Sequence, residues 1–312
     1  MASFNSRPGH KESVRSGKGI PGGFTLIELL VVIAVIAVLL AIFMPVARAA
    51  RERGQRTVCL SNLRQLTLAW IQYADEHDSK LVCGSAFSRT ITGTGARRLI
   101  LEGWVDRAFS YPESRADLLA HPHKGPLWPY LRDVDVYRCP RGWPGHFLTY
   151  TTVVAANGDE VEGTYVPGDR SREITRFGQR VGSTVLKLTR LTDIVSPGAA
   201  QRAVFIDTGQ TPAGNEFYVY YLQPVRKWFS PPPIRHAGGA TLSMADGHAE
   251  YWKWKGRETV DMPRELMPVR DAFDEVLEGG DYQPQTEDGL YDLQRLQRVT
   301  WGRLGYPVEG GL

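Results

Sequence analysis

The chain has little of what most enzymes and nucleic-acid binders display. Its 312 residues carry 37 Lys and Arg against 34 Asp and Glu, a formal net charge of +3 that is partly concentrated near the amino terminus, so no strong nucleic-acid footprint is present. Three cysteines, Cys59, Cys83 and Cys139, allow one disulfide and leave one thiol over, which excludes a disulfide-built scaffold. No nucleophile and base come with a third orienting group, so no catalytic constellation can be assembled and an enzyme is not expected. The chain also has only one long apolar run, from Phe24 to Met44, interrupted by Thr25 and Glu28 alone.

That run is informative. Twenty-one helical residues span about 31 Å, enough for a hydrocarbon core of ~30 Å. An ionisable group inside such a span costs roughly 2.5 kcal/mol or more, so Glu28 calls for a partner or a function. The residues before it hold Arg7, Lys11, Arg15 and Lys18 against Glu12 among Gly and Ser, and read as a basic leader. A secretory signal peptide would have a shorter apolar core followed by small residues. Here Phe43-Met44-Pro45-Val46 follows, and the small residues Gly22 and Gly23 lie in front instead. Charge does not orient the span, because Arg48, Arg51, Arg53 and Arg56 balance the leader.

Gly23-Phe24-Thr25-Leu26-Ile27-Glu28-Leu29-Leu30-Val31-Val32 resembles the cleavage and methylation signature of type IV prepilins and type II secretion pseudopilins. The resemblance implies a prepilin peptidase cut between Gly23 and Phe24, N-methylation of Phe24, and assembly through Glu28 and Pro45. It further implies a cytoplasmic leader, an inner-membrane span over residues 24–44, and an extracytoplasmic remainder. The implied partners are other pseudopilin subunits, an inner-membrane assembly platform and the lipid bilayer. A buried Glu28 would pair with the amino group of a neighbouring Phe24, removing its desolvation cost once subunits stack. Pro45, lacking an N–H, is expected to kink or locally melt the helix.

Beyond the span, Cys59, Leu63, Leu66, Trp70 and Tyr73 recur in steps of four and three, with Leu60, Thr67 and Ala74 beside them. Arg64, Gln65, Gln72, Asp75 and Glu76 take the other side, which predicts an amphipathic continuation of the stem over residues 45–78. Residues 79–312 suffice for one large α+β domain with an antiparallel sheet. Ala203-Val204-Phe205-Ile206 and Phe217-Tyr218-Val219-Tyr220-Tyr221-Leu222 read as strands. The stretch from Arg257 to Asp288 is too rich in charge, Pro and Gly for an assignment.

Residues 235–251 predict a hairpin. Asp246-Gly247 suits a two-residue type I′ turn, which would pair Ala245 with His248, Met244 with Ala249 and Leu242 with Tyr251. Ala240, Leu242, Met244, Ala249 and Tyr251 would then face the core, leaving Thr241, Ser243, His248 and Glu250 on the other side. His236, nine intervening residues and Asp246-Gly247 match the H-X9-DG element of large prepilin-like proteins. Cys59-Leu60-Ser61-Asn62, Leu127-Trp128-Pro129-Tyr130-Leu131, Tyr137-Arg138-Cys139-Pro140 and Asp292-Leu293-Gln294-Arg295 point the same way.

As candidate ligands or acid–base groups, His236, Asp246 and His248 have simpler explanations: backbone bonding near Pro231-Pro232-Pro233, turn chemistry, and an exposed strand position. No metal or cofactor is assigned. Asp281, Glu287 and Asp288 are acidic enough to suggest calcium, but their spacing defines no calcium loop. His121-Pro122-His123 reads as a solvated loop. Cys59 with Cys139 is the preferred disulfide, tying stem to body, and Cys83 could replace either partner. The expected role is a structural, pseudopilin-like subunit of a type II secretion or type IV pilus-like filament. The alternative is a membrane-anchored binding or catalytic protein recognising a glycan or polymer, which exposure of Trp228, Trp252 and Trp254 would support.

Overall fold

The computed structural model describes residues 25–86, 89–92, 98–109, 114–157, 180–208, 216–221, 227–265 and 282–307. Gly23, Phe24, Leu222 and Asp281 lie outside them. The chain divides into two compact units, residues 1–49 and 50–312.

Helix α1 runs from Leu26 to Glu76, two residues short of the expected end, and continues unbroken through Pro45. The expected local melting is not seen: a proline removes one hydrogen bond, here the one to Ala41, and the uninterrupted turns on either side retain theirs. In the first unit the helix is apolar on every side, with Leu26 81% and Ile42 65% exposed, and it is long and apolar enough to cross a membrane. In the second unit its character changes. Cys59, Leu63, Leu66, Thr67, Trp70 and Ala74 are buried while Arg64, Gln65, Gln72, Asp75 and Glu76 are exposed, as the periodicity requires.

The body is α+β. Its central sheet has four antiparallel strands in the order β3 (Tyr150–Thr152), β6 (Ala203–Asp207), β7 (Gly239–Met244), β8 (Ala249–Lys253). Two small antiparallel pairs stand apart from it: β1 (Arg89–Thr92) with β2 (Arg98–Leu101), and β4 (Arg180–Val181) with β5 (Thr184–Val185). Short helices α2 (Arg115–Ala120) and α3 (Trp128–Leu131) precede β3, while α4 (Arg257–Glu265) and α5 (Glu287–Trp301) follow β8. Helix α5 starts at Thr286, whose hydroxyl accepts from Gly289 N, and stops at Gly302 in a left-handed conformation. The Asp292 carboxylate accepts from the backbone N–H groups of Lys255 and Gly256, fixing α5 to the chain leaving β8.

The first expected strand is β6. The second is not a strand: Phe217 makes a single parallel bridge to Val153, and Phe217, Val219 and Tyr221 are buried as irregular chain. Alternation of aromatics there reflects burial rather than ladder pairing.

The hairpin forms with a register one residue away from the expected one. Ser243 pairs with Ala249, Leu242 with Glu250 and Thr241 with Tyr251. Met244 O accepts from Gly247 N, Met244 N donates to His248 O, and Gly247 has φ +94°, so the loop is a three-residue turn closed by a left-handed glycine. A further difference concerns the second face of β7. Thr241 and Ser243 are buried, not exposed, because α1 lies on them: Thr241 Oγ1 is 2.9 Å from Cys59 Sγ and Ser243 Oγ is 2.6 Å from Thr67 Oγ1.

Candidate functional sites

Two places concentrate unusual chemistry. The first is the start of α1. Thr25 Oγ1 accepts from Glu28 N at 3.3 Å, while the Glu28 carboxylate accepts from Thr25 N at 2.9 Å and from Thr25 Oγ1 at 2.7 Å. Thr-x-x-Glu with these reciprocal bonds is a capping box, which satisfies two otherwise orphaned donors at a helix start. Glu28 thus has a local partner in the single chain, one that the sequence reading passed over although the motif is written in residues 25–28. Around it Leu29, Val32, Val35, Ile36, Leu39 and Ile42 are exposed.

The second is a buried cluster in the body, drawn from four separate segments. Cys59 comes from the buried face of α1. Cys139 follows the turn Val134–Tyr137, where its N–H donates to Thr149 Oγ1 at 2.7 Å and Gly142 N closes a turn on its carbonyl. Asp207 ends β6. His236 immediately precedes a left-handed pair, Ala237 (φ +53°) and Gly238 (φ +76°), from which the chain enters β7. All four side chains are at most 1% exposed, and one ligand atom from each lies within 4.8 Å of all the others.

Cys59 Sγ is 3.3 Å from Asp207 Oδ2, Cys139 Sγ is 3.3 Å from His236 Nε2, and His236 Nε2 is 3.5 Å from Asp207 Oδ2. Arg141 N donates to Cys139 Sγ at 3.4 Å. Arg235 Nε lies 3.9 Å from Asp207 Oδ1, and the same guanidinium donates to Thr208 O. On the far side of the imidazole, His236 Nδ1 is 3.5 Å from Glu52 Oε1.

Burial pushes the Cys59 thiol well above its ordinary range. The Cys139 thiol is held below its own, first by the hydrogen bond from Cys59 and then by His236, against burial. Burial alone would lower His236, but its bonds to Asp207 and Cys139 prevail and raise it to about 9. Polarised sulfur beside imidazole is the chemistry of a nucleophile or of a metal ligand set, and full burial leaves a substrate no access.

His236 therefore does not serve the backbone near Pro231-Pro232-Pro233 as expected; its ring is turned into the cluster. Cys59 and Cys139 are brought together, as the preferred pairing required, yet neither is in a disulfide. Asp207 and Glu52 escaped the sequence reading. The one signal for Asp207 was a carboxylate closing the otherwise apolar strand 203–206, and Glu52 carried none.

The other candidates are dispersed. Asp246 and His248 sit at the hairpin tip, where His248 Nδ1 is 2.5 Å from Asp246 Oδ1 and Nε2 is 2.8 Å from Glu250 Oε1. Glu287 and Asp288 occupy the first turn of α5, where acidic groups favour a helix start. His121 and His123 are exposed, with His121 Nδ1 2.6 Å from His123 O. Trp228, Trp252 and Trp254 are all buried, which weakens the glycan-binding reading.

No curated protein and no solved structure matches the chain. Residues 22–44 match the family model described as the prokaryotic N-terminal methylation motif. With that motif at the head of a long apolar helix, the chain bears the signature of the type IV prepilin-like proteins.

Proposed function

We propose that the protein is a structural subunit, cut by a prepilin peptidase after Gly23, methylated on Phe24 and assembled through its stem into a type II secretion or type IV pilus-like filament. The observation that carries this reading is the methylation motif over residues 22–44, which takes in the start of a helix whose apolar residues up to Val46 are exposed. Before assembly the inner membrane would cover those residues, with the body extracytoplasmic. In the filament, neighbouring stems would replace lipid through a heterologous contact that propagates without closing.

The capping box supplies a physical account of the switch. In the lone chain Thr25 holds the Glu28 carboxylate. Approach of a neighbour's Phe24 amine would replace neutral donors on that carboxylate with a cationic one, an ion pair that is stronger in a medium without water. Pro45 lies downstream of this contact and would leave the stem one backbone hydrogen bond softer where it packs. The work is mechanical, and no catalytic role is proposed. Burial of Trp228, Trp252 and Trp254 counts against a glycan- or polymer-binding anchor.

The test is the mass and amino-terminal sequence of the protein recovered from membranes. A start at methylated Phe24, lost in Gly23→Ala, is expected. Glu28→Ala should be processed normally and fail to enter filaments. An intact Met1 start with membrane retention would make the helix a permanent anchor and overturn the proposal.

A further inference from the structure

We propose that Cys59, Cys139, Asp207 and His236 form a closed, four-coordinate zinc site that fastens the stem helix to the sheet. Tetrahedral zinc with sulfur at ~2.3 Å and nitrogen or oxygen at ~2.0–2.1 Å sets ligand-to-ligand edges of about 3.3–3.8 Å. The cluster's edges of 3.3, 3.3 and 3.5 Å fall in that band, and its widest ligand separation is no more than 4.8 Å. Two sulfurs, one imidazole and one carboxylate suit a borderline-soft divalent ion without preferred d-electron geometry.

The surroundings support the same assignment independently. His236 directs Nε2 to the cluster and Nδ1 to Glu52, the carboxylate–histidine arrangement that fixes the tautomer of a metal-bound imidazole. Glu52 Oε1 and His236 Nδ1 are buried and without another hydrogen-bond partner among the described residues. A ligated His236 would be neutral and carry its proton on Nδ1, aimed at Glu52. Arg141 N already donates to Cys139 Sγ, a bond that stabilises a thiolate. Zinc with two thiolates and one carboxylate leaves one negative charge, and the Arg235 guanidinium beside Asp207 supplies the compensating cation.

Burial of all four ligands leaves no open position for water or substrate, so the site is structural rather than catalytic. Its ligands are 59, 139, 207 and 236 in sequence, and binding would release to solvent the protons carried by the two thiols and the second ring proton of a charged His236, while joining α1, the loop after Tyr137, β6 and the entry to β7. Metal affinity at such a site is folding free energy.

The experiment is elemental analysis of the full-length protein purified in detergent without added metal or chelator, together with mass spectrometry of its alkylated cysteines. About one zinc per chain is expected, with Cys59 and Cys139 both reduced. Cys83→Ser, outside the four, should keep its zinc, and Cys59→Ser and His236→Ala should lose it. Cobalt exchanged into the wild-type protein should give thiolate charge-transfer absorption and tetrahedral d–d bands, a readout that needs no variant to fold. Glu52→Gln should retain the ion but weaken its affinity roughly 10–100-fold in chelator competition. A Cys59–Cys139 disulfide without metal, or reduced thiols without zinc, would overturn the proposal.

Discussion

Two stretches of one helix solve opposite problems. Residues 26–46 of α1 are apolar around the whole circumference and exposed; residues 59–74 are apolar on one face, and that face is buried on the body. Backbone and propensity do not distinguish them. The angular distribution of apolar side chains does: a full cylinder can be covered only by lipid or by other helices, whereas a stripe is satisfied by the chain's own sheet. The body-facing stripe also carries polar atoms, Cys59, Asn62 and Thr67, each bonded to a partner far away in sequence. Its docking is therefore directional, whereas the upstream cylinder is adaptable.

The largest expected effect follows from filling. Trp70 is fully buried among the core residues, so Trp70→Ala should cost about 3–5 kcal/mol of body stability. The value should fall at the lower end, because the indole N–H has no partner among the described residues and its removal breaks no bond. Ile36→Ala, on the exposed cylinder, should leave the body's unfolding midpoint unchanged and reduce only filament incorporation. Urea unfolding of the full chain in detergent, followed by near-ultraviolet circular dichroism, measures both. Equal destabilisation by the two substitutions would break the comparison.

A smaller effect tests direction rather than filling. Thr67 Oγ1 lies 2.9 Å from Leu63 O and 2.6 Å from Ser243 Oγ, so Thr67→Val keeps the volume and removes the polar link between α1 and β7. Ser243 Oγ still accepts from Phe205 N, which limits the loss to about 1 kcal/mol. The same denaturation experiment reads it. No change would mean that the stripe docks by apolar contact alone.

What could be read beforehand separates along the same line. The span, the stripe, β6 and the existence of the hairpin follow from local periodicity, and local patterns are visible in one sequence. The hairpin register was missed by one residue because Asp246-Gly247 is compatible with two loop lengths, and the choice lies in how β7 packs on both faces. The Phe217 stretch was misread because aromatic alternation marks burial in irregular chain as readily as in a strand. The cluster was the least legible feature. Its members are separated by 80, 68 and 29 positions, from the residue numbers themselves, so no spacing motif forms, and His236 was assigned to the nearest backbone when its partners lay at Cys139 and Asp207. Only tertiary structure brings such groups together.

The smallest effect belongs to the hairpin tip of the body. His248 lies between Asp246 and Glu250, all three more than a third exposed, with Arg295 Nη2 3.9 Å from Glu250 Oε2 and the Trp252 indole N–H donating to the same oxygen. The Glu250 hydrogen bond raises His248 above its ordinary value, so that contribution is complete below about pH 6.5 and is lost as pH rises through the folded value. Burial pushes Glu250 up, but bonds from His248 and Trp252 prevail and lower it. Its contribution is complete above about pH 4.3 and is lost as pH falls through the folded value. The two windows overlap between roughly pH 4.3 and 6.5. The difference in unfolding midpoint between wild type and His248→Gln should peak there, small because solvent screens the pair, and shrink on either side. A difference independent of pH would show that His248 holds the turn by shape alone, without the directional bonds that dock the buried face of α1.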